Sequence, residues 1–290
     1  MPRIALIQQS ASADSKANLQ KGLENARAAI ENGAKIIVFP ELAFSTFFPQ
    51  KRLEGDRFDL AEPVPGPTTD VFVDLARKEG VVIVLNLYER DGDCAYDSSP
   101  VIDADGTILG VTRMMHITQY ESFFEQDYYD PGNTGAPVYD TAHGRIGVSI
   151  CYDRHYPEHL RSMALQEADV VVIPQAGAAG EWPEGVFEAE LQAGSFQHGF
   201  FMALSNRVGE EDVLTFAGES FITDPRGQII AQAPGGQDAI LYADLDYHAV
   251  AESPARTMFL KHRRPSEYIE QAVRLNNKKR LERFDLCIQQ

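Results

Sequence analysis

The chain reads as an α/β protein: a single domain of two packed mixed sheets with helices on the outside. Three observations predict this. Short apolar runs of strand length alternate with segments of helical period in the first half. Antiparallel pairs joined by glycine-containing turns follow them. The second half, built around Ile146–Ile150, repeats the same plan, and no linker of shifted composition separates the halves.

Taken in order, residues 3–9 form a first strand, and residues 15–32 form an amphipathic helix. Leu19, Leu23, Ala26 and Ile30 recur at helical spacing, with Gly33 placed to end it. Residues 35–39 make a short buried strand closed by Pro40, so Glu41 falls at the C-terminal edge of a sheet, where ligand sites of α/β folds collect. The Pro/Gly-rich residues 62–69 read as loop, 70–79 as a helix closed by Gly80, and 81–87 as a buried strand. Residues 96–102 and 107–116 form a hairpin around Asp103-Ala104-Asp105-Gly106. Residues 118–133, rich in aromatics and acids without a clear period, read as a loop or short helix roofing a cleft.

The second half starts with the strand 146–150, which ends on Cys151. Pro157 and Glu158 read as the first turn of a helix running to Glu167, because proline's missing N–H is harmless there. A strand over 169–174, a small-residue loop carrying Trp182, a helix over 185–199 and a strand over 200–205 follow. A hairpin then turns at Asp224-Pro225-Arg226-Gly227, and 239–244 is the last strand. The basic run Lys261-His262-Arg263-Arg264 suggests intramolecular pairing or a subunit contact.

Composition narrows the functional classes. Of 290 residues, 43 are acidic and 26 basic, a formal charge of −17, which argues against nucleic acid and anionic membrane as partners. Three cysteines (Cys94, Cys151, Cys287) are too few and too scattered for a disulfide scaffold or a zinc site, and they fit a reducing compartment. No signal-like segment and no apolar run of membrane length is present, so a soluble cytoplasmic protein is expected. Cys151 stands out for its position at a strand-to-helix turn. There, backbone N–H groups and a helix dipole would favour a thiolate and an adjacent oxyanion. A buried structural cysteine is the competing reading.

Five segments, in this order and spacing, decide between them: Phe39-Pro40-Glu41-Leu42, Ile150-Cys151-Tyr152-Asp153, Ser205-Asn206-Arg207-Val208-Gly209, the hairpin from Gly218 to Gly227, and Arg263-Arg264-Pro265-Ser266-Glu267-Tyr268. Together they resemble the nitrilase (carbon–nitrogen hydrolase) superfamily over nearly the whole chain. The resemblance implies a four-layer α-β-β-α sandwich and a single domain with a core over about 1–268. It also implies a homodimer or larger oligomer, with 269–290 as the segment reaching across. It makes Cys151 the nucleophile, Glu41 the general base and Glu125 the second glutamate, with no metal or organic cofactor.

One position departs from the pattern. Where the family carries a lysine, this chain reads Thr112-Arg113-Met114-Met115-His116-Ile117, with Met114 at the lysine position. Methionine carries no charge and no useful donor. Arg113 points to the other face of a strand and replaces it only through a bulge. Without the ammonium, at least one of Glu41 and Glu125 is expected to hold its proton above the usual range.

The stretch Cys151–Pro157 is similar to that of N-carbamoyl amino-acid hydrolases, including the β-ureidopropionase branch. That suggests a linear amide or N-carbamoyl compound as substrate, with Arg154, Tyr152 and Trp182 in substrate binding. For Arg154 a structural ion pair, for example with Glu158, is the alternative. The alternative for the whole protein is a catalytically silent member of the family, acting as a binding or assembly subunit because Met114 replaces the lysine.

Overall fold

The computed structural model describes residues 1–268. One seven-stranded sheet holds β1 (Arg3–Gln8), β2 (Ile36–Val38), β3 (Val82–Val84), β4 (Leu87–Asp91), β5 (Cys94–Ile102) and β6 (Ile108–Arg113), with the last strand of the described residues, Ala239–Asp244, on its edge. A six-stranded sheet holds β7 (Val138–Thr141), β8 (Gly144–Val148), β9 (Val170–Gln175), β10 (Phe201–Asn206) and a hairpin of Phe221–Thr223 with Ile229–Gln232. In each sheet three parallel strands form the centre and antiparallel strands flank them: β1, β2 and β3 in the first, β8, β9 and β10 in the second.

Side-chain alternation sorts these strands into layers. In β1, Ile4 and Leu6 enter the central core, while Ala5 and Ile7 pack outward under α1 (Ser15–Glu31) and α2 (Pro67–Glu79). In β9, Val170 and Val172 enter the same central core. Val171 and Ile173 pack outward against Leu160 and Met163 of α3 (Pro157–Leu165) and Leu191 of α4 (Val186–His198). One core between two sheets, with a helix-covered core on each outer face, is the four-layer α-β-β-α sandwich. The strands are apolar on both faces because both faces are covered. Ser205 Oγ in β10 donates to the Ile7 carbonyl in β1 at 2.9 Å, which ties the sheets together.

Several local expectations change. The helix expected from residue 70 starts at Pro67, where the proline occupies its first turn and the Thr69 hydroxyl accepts the Gly66 N–H at 2.7 Å. The strand expected over 81–87 breaks after Val84, and Asn86 in the break is fully buried. β7 and a two-stranded ribbon of Val208–Glu211 with Leu214–Ala217 were not expected. Of the basic run near residue 262, Arg264 pairs with Glu267 at 3.2 Å. Residues 269–290, expected to form the oligomerisation segment, and Cys287 lie outside the described residues.

Candidate active site

Glu41 follows β2 at the sheet's C-terminal edge and is fully buried. Its backbone is held from two sides. Arg207, 1% exposed at the end of β10, donates through Nη1 to the Glu41 carbonyl at 3.0 Å, and also reaches the Leu42 and Ser45 carbonyls and Glu211. Asn86 Oδ1 accepts the Leu42 N–H at 2.7 Å, and Leu42 takes a left-handed φ of 46°. Neither oxygen of the Glu41 carboxyl meets a protein N–H or O–H donor. Its titration is instead influenced by the Cys151 thiol and the Asp97 carboxyl nearby.

Cys151 is 6% exposed and adopts φ 41°, a conformation that costs a non-glycine residue about 1–3 kcal/mol. The helix expected from Pro157 starts there, but it is not joined directly to the strand. A 3-10 turn, Cys151–His155, comes first, and α3 begins only at Pro157 behind an extended Tyr156. The thiol sulfur accepts from Gln175 Nε2 at 3.3 Å, and the Ala176 N–H also points at it. The turn is anchored through Asp153, whose carboxylate accepts the Met115 and His116 N–H groups at 3.1 and 2.9 Å.

Asp97, which the sequence reading passed over, completes the constellation. The Met114 N–H donates to the Asp97 carbonyl at 2.9 Å, extending the β5–β6 pairing by one residue beyond Ser98 and Arg113. Opposed residues of an antiparallel pair share a face, so Met114 and Asp97 both turn toward the central core, where Met114 packs in the cluster of Cys151, Phe123 and Tyr129. Arg113 turns away, to Glu89 at 2.6 Å and Asp91 at 2.8 Å, and does not stand in for a lysine. Asn86 Nδ2 donates to Asp97 Oδ1 at 2.5 Å, while Oδ2 has no partner. Glu125, from the short 3-10 turn Glu125–Asp127, is fully buried; one oxygen accepts the Thr118 N–H at 3.3 Å and the other has no partner. Among the described residues no lysine or arginine forms an ion pair with Glu41, Asp97 or Glu125.

Burial without a counter-charge makes these acids hold their protons. Desolvation, then the Glu125 charge, pushes Glu41 up to about 7. Desolvation followed by Glu41 raises Asp97, and desolvation followed by Asp97 raises Glu125. Burial and the two glutamates push the Cys151 thiol well above its ordinary range, against the smaller pull of Arg154 and the Ala176 N–H. The backbone N–H groups and helix dipole expected to favour a thiolate are outweighed by burial and the two glutamates. The resting thiol is neutral, and its proton must leave as it attacks.

The three residues expected in substrate binding lie on the outer side of Cys151. Arg154 is 2% exposed, with Nη1 on the Cys151 carbonyl and Gln175 Oε1, both at 2.8 Å, and Nε on Glu190 at 3.1 Å. It thus occupies the structural alternative, with Glu190 rather than Glu158 as partner. Tyr152 packs edge-on against His155 and Tyr156. Trp182 stands 5.5 Å from the His155 ring and 6.5 Å from Tyr120, whose hydroxyl donates to Glu181 at 2.5 Å. Glu181 and Trp182 also line an adjoining cavity of about 720 Å³ that carries Glu184, Glu188 and Glu219 and no basic side chain.

Comparison with known proteins identifies the family and the fold. The carbon–nitrogen hydrolase family profile matches residues 3–255. The chain is 34% identical over 278 residues to a citrullinase of Francisella tularensis, covering 92% of this chain and 97% of that protein. It is 33% identical over 279 residues to an N-carbamoylputrescine amidase of Solanum lycopersicum, covering 91% and 93%. A carbon–nitrogen hydrolase from Helicobacter pylori G27 superposes with a TM-score of 0.87 at 28% identity, over 93% of this chain and 98% of that one. With its fold, its strand-edge acid and thiol, and these relatives, the chain belongs to the nitrilase superfamily and is a carbon–nitrogen hydrolase.

Proposed function

We propose that the chain hydrolyses a linear amide or an N-carbamoyl amine through an acyl-enzyme on Cys151. The observation that carries this reading is a fully buried Glu41 carboxyl, without a donor of its own, near enough to the buried Cys151 thiol for each to shift the other's titration. Glu41 takes the thiol proton as sulfur attacks the carbonyl carbon, then returns it to the departing nitrogen. It next takes a proton from water as the thioester is hydrolysed. Its upward shift to about 7 matches a base that both accepts and donates near neutral pH. Glu125 orients the substrate's N–H groups through its free oxygen. Four glutamates and no basic group in the adjoining cavity favour an amine tail over a carboxylate tail.

The names of the relatives favour an enzyme over the silent alternative. Incubation with a panel of amides and N-alkylureas should give ammonia and a Cys151 adduct visible by intact mass. Neither product from any compound would return the silent reading to the front. The homo-oligomer and the cytoplasmic location belong to the same reading. Light scattering should give a mass of at least two chains, and a monomer would contradict the first of these.

A further inference from the structure

We propose that the preferred electrophile carries its own positive charge at the reacting carbon: an amidinium or guanidinium, held by Asp97 together with Glu41 and Glu125. This inference rests on the assignment of Cys151 and Glu41 above and names a substrate class beyond the amides and ureas.

Three facts carry it. Both oxygens of Glu41, Oδ2 of Asp97 and Oε1 of Glu125 are buried and lack donors. They belong to three separate segments of chain: Asn86 bridges the Leu42 N–H to Asp97 Oδ1, Met114 opposite Asp97 packs in one cluster with Cys151, and the two glutamates both act on the thiol. Met114, directly opposite Asp97, brings no charge to this face. Buried carboxylates are ordinarily paired with a cation or a full set of donors, and these have neither.

A planar cation with several N–H groups supplies what is missing. An amide is turned over less well. Its oxygen becomes negative during attack near acids that no lysine or arginine pairs with among the described residues, Arg154 being spent on the Cys151 carbonyl, and the loss of one oxyanion donor typically costs about 10² to 10³ in rate. An amidinium avoids the problem. As the thiol passes its proton to Glu41 and sulfur bonds to carbon, the C–N π pair moves onto nitrogen and cancels the positive charge, giving a neutral tetrahedral adduct. Protonated Glu41 gives its proton to one nitrogen, and the C–N bond breaks to release ammonia or an amine. A protonated thioimidate remains on Cys151. Water adds to its carbon and gives one proton to Glu41; the C–S bond then breaks and the thiol recovers a proton. The proton left on Glu41 passes to ammonia or solvent and restores the carboxylate, so the net reaction is amidinium plus water to amide plus ammonium, or guanidinium plus water to urea plus ammonium, with no oxidant or further reactant.

The test compares acetamidine with acetamide, and butylguanidine with butylurea, by ammonia release. The proteins are the wild type, Asp97→Asn, Met114→Lys, the double variant and Cys151→Ala. We expect the wild type to favour the cationic member of each pair at least 10-fold in kcat/KM, and the double variant to favour the neutral member. A wild type faster on acetamide and butylurea overturns this proposal and leaves the thiol mechanism standing. No turnover of any probe and no Cys151 adduct overturns both. Calorimetry with the Cys151→Ala protein needs no turnover. Acetamidinium should bind with release of a proton to buffer while acetamide does not, and equal binding without proton release overturns the proposal.

Discussion

Two buried charge centres lie back to back around Glu41, and they are built by opposite rules. On the backbone side Arg207, nearly inaccessible, meets the Glu41, Leu42 and Ser45 carbonyls and the Glu211 carboxylate, and only its Nε lacks a partner. On the side-chain side Glu41, Asp97 and Glu125 are equally buried and leave four carboxylate oxygens without a donor. The first centre shows what this fold does with a charge whose job is structural: it surrounds it. The second has been left open. Unsatisfied acids that persist in a core mark a place where a ligand completes the set, and their position beside a thiol says what chemistry follows.

The largest effect should come from the open centre. Cys151→Ala should lower turnover on the order of 10⁴-fold or more while leaving the folded protein intact, as read by ammonia release beside a thermal melt. Comparable turnover in the variant would remove Cys151 from the mechanism. The closed centre should respond in the other currency. Arg207→Met strips Glu211 and three carbonyls of their partner and should cost about 3–5 kcal/mol in denaturant unfolding. A loss below 1 kcal/mol would make the contrast between the two centres untenable.

The open centre also predicts a pH signature of unusual sign. Glu41 holds its proton to about 7 in the folded protein, against an ordinary 4.5, so folding takes up a proton between those values. Stability therefore falls as pH rises through this window, with Glu41's share on the order of 3 kcal/mol at 1.36 kcal/mol per pH unit. Asp97 and Glu125 act in the same direction. Glu41→Gln should flatten the dependence, and unfolding series at pH 5 and pH 7.5 check it. The kcat/KM of the wild type should rise with pH to a plateau above about 7, because Glu41 must be ionised to take the thiol proton.

Much of the architecture was legible because it rests on local periodicity. Ile4 to Ile7 and Val170 to Ile173 are apolar on every position, which already says that both faces are covered. Glu41 and Cys151 were legible because each follows such a run at the edge where sites form. Asp97 was not. It lies in a strand reading Tyr-Asp-Ser-Ser-Pro, and only the packing of Glu41 and Glu125 from distant parts of the chain makes its burial consequential. Arg207 was visible only as part of a motif, since its three carbonyl acceptors lie 162 to 166 residues away. The electrostatics of Cys151 were misread for a related reason. A strand-to-helix turn suggests a favourable dipole, but the thiol opens a five-residue 3-10 turn and α3 begins only at Pro157, and burial with the nearby carboxyls outweighs what remains.

Burial and one another's charge hold the thiol and its acids protonated, and position 114 brings no cation to offset this. The most direct test is alkylation of Cys151 by iodoacetamide, followed by peptide mass against pH, in the wild type and Met114→Lys. A lysine there would meet Asp97 and Glu125, favour the charged forms and stabilise the thiolate. The wild type should react slowly at pH 7 and speed up with rising pH. Met114→Lys should react at least about 10-fold faster at pH 7, a change of about 1.4 kcal/mol. Equal rates across the pH range in the two proteins would contradict the account.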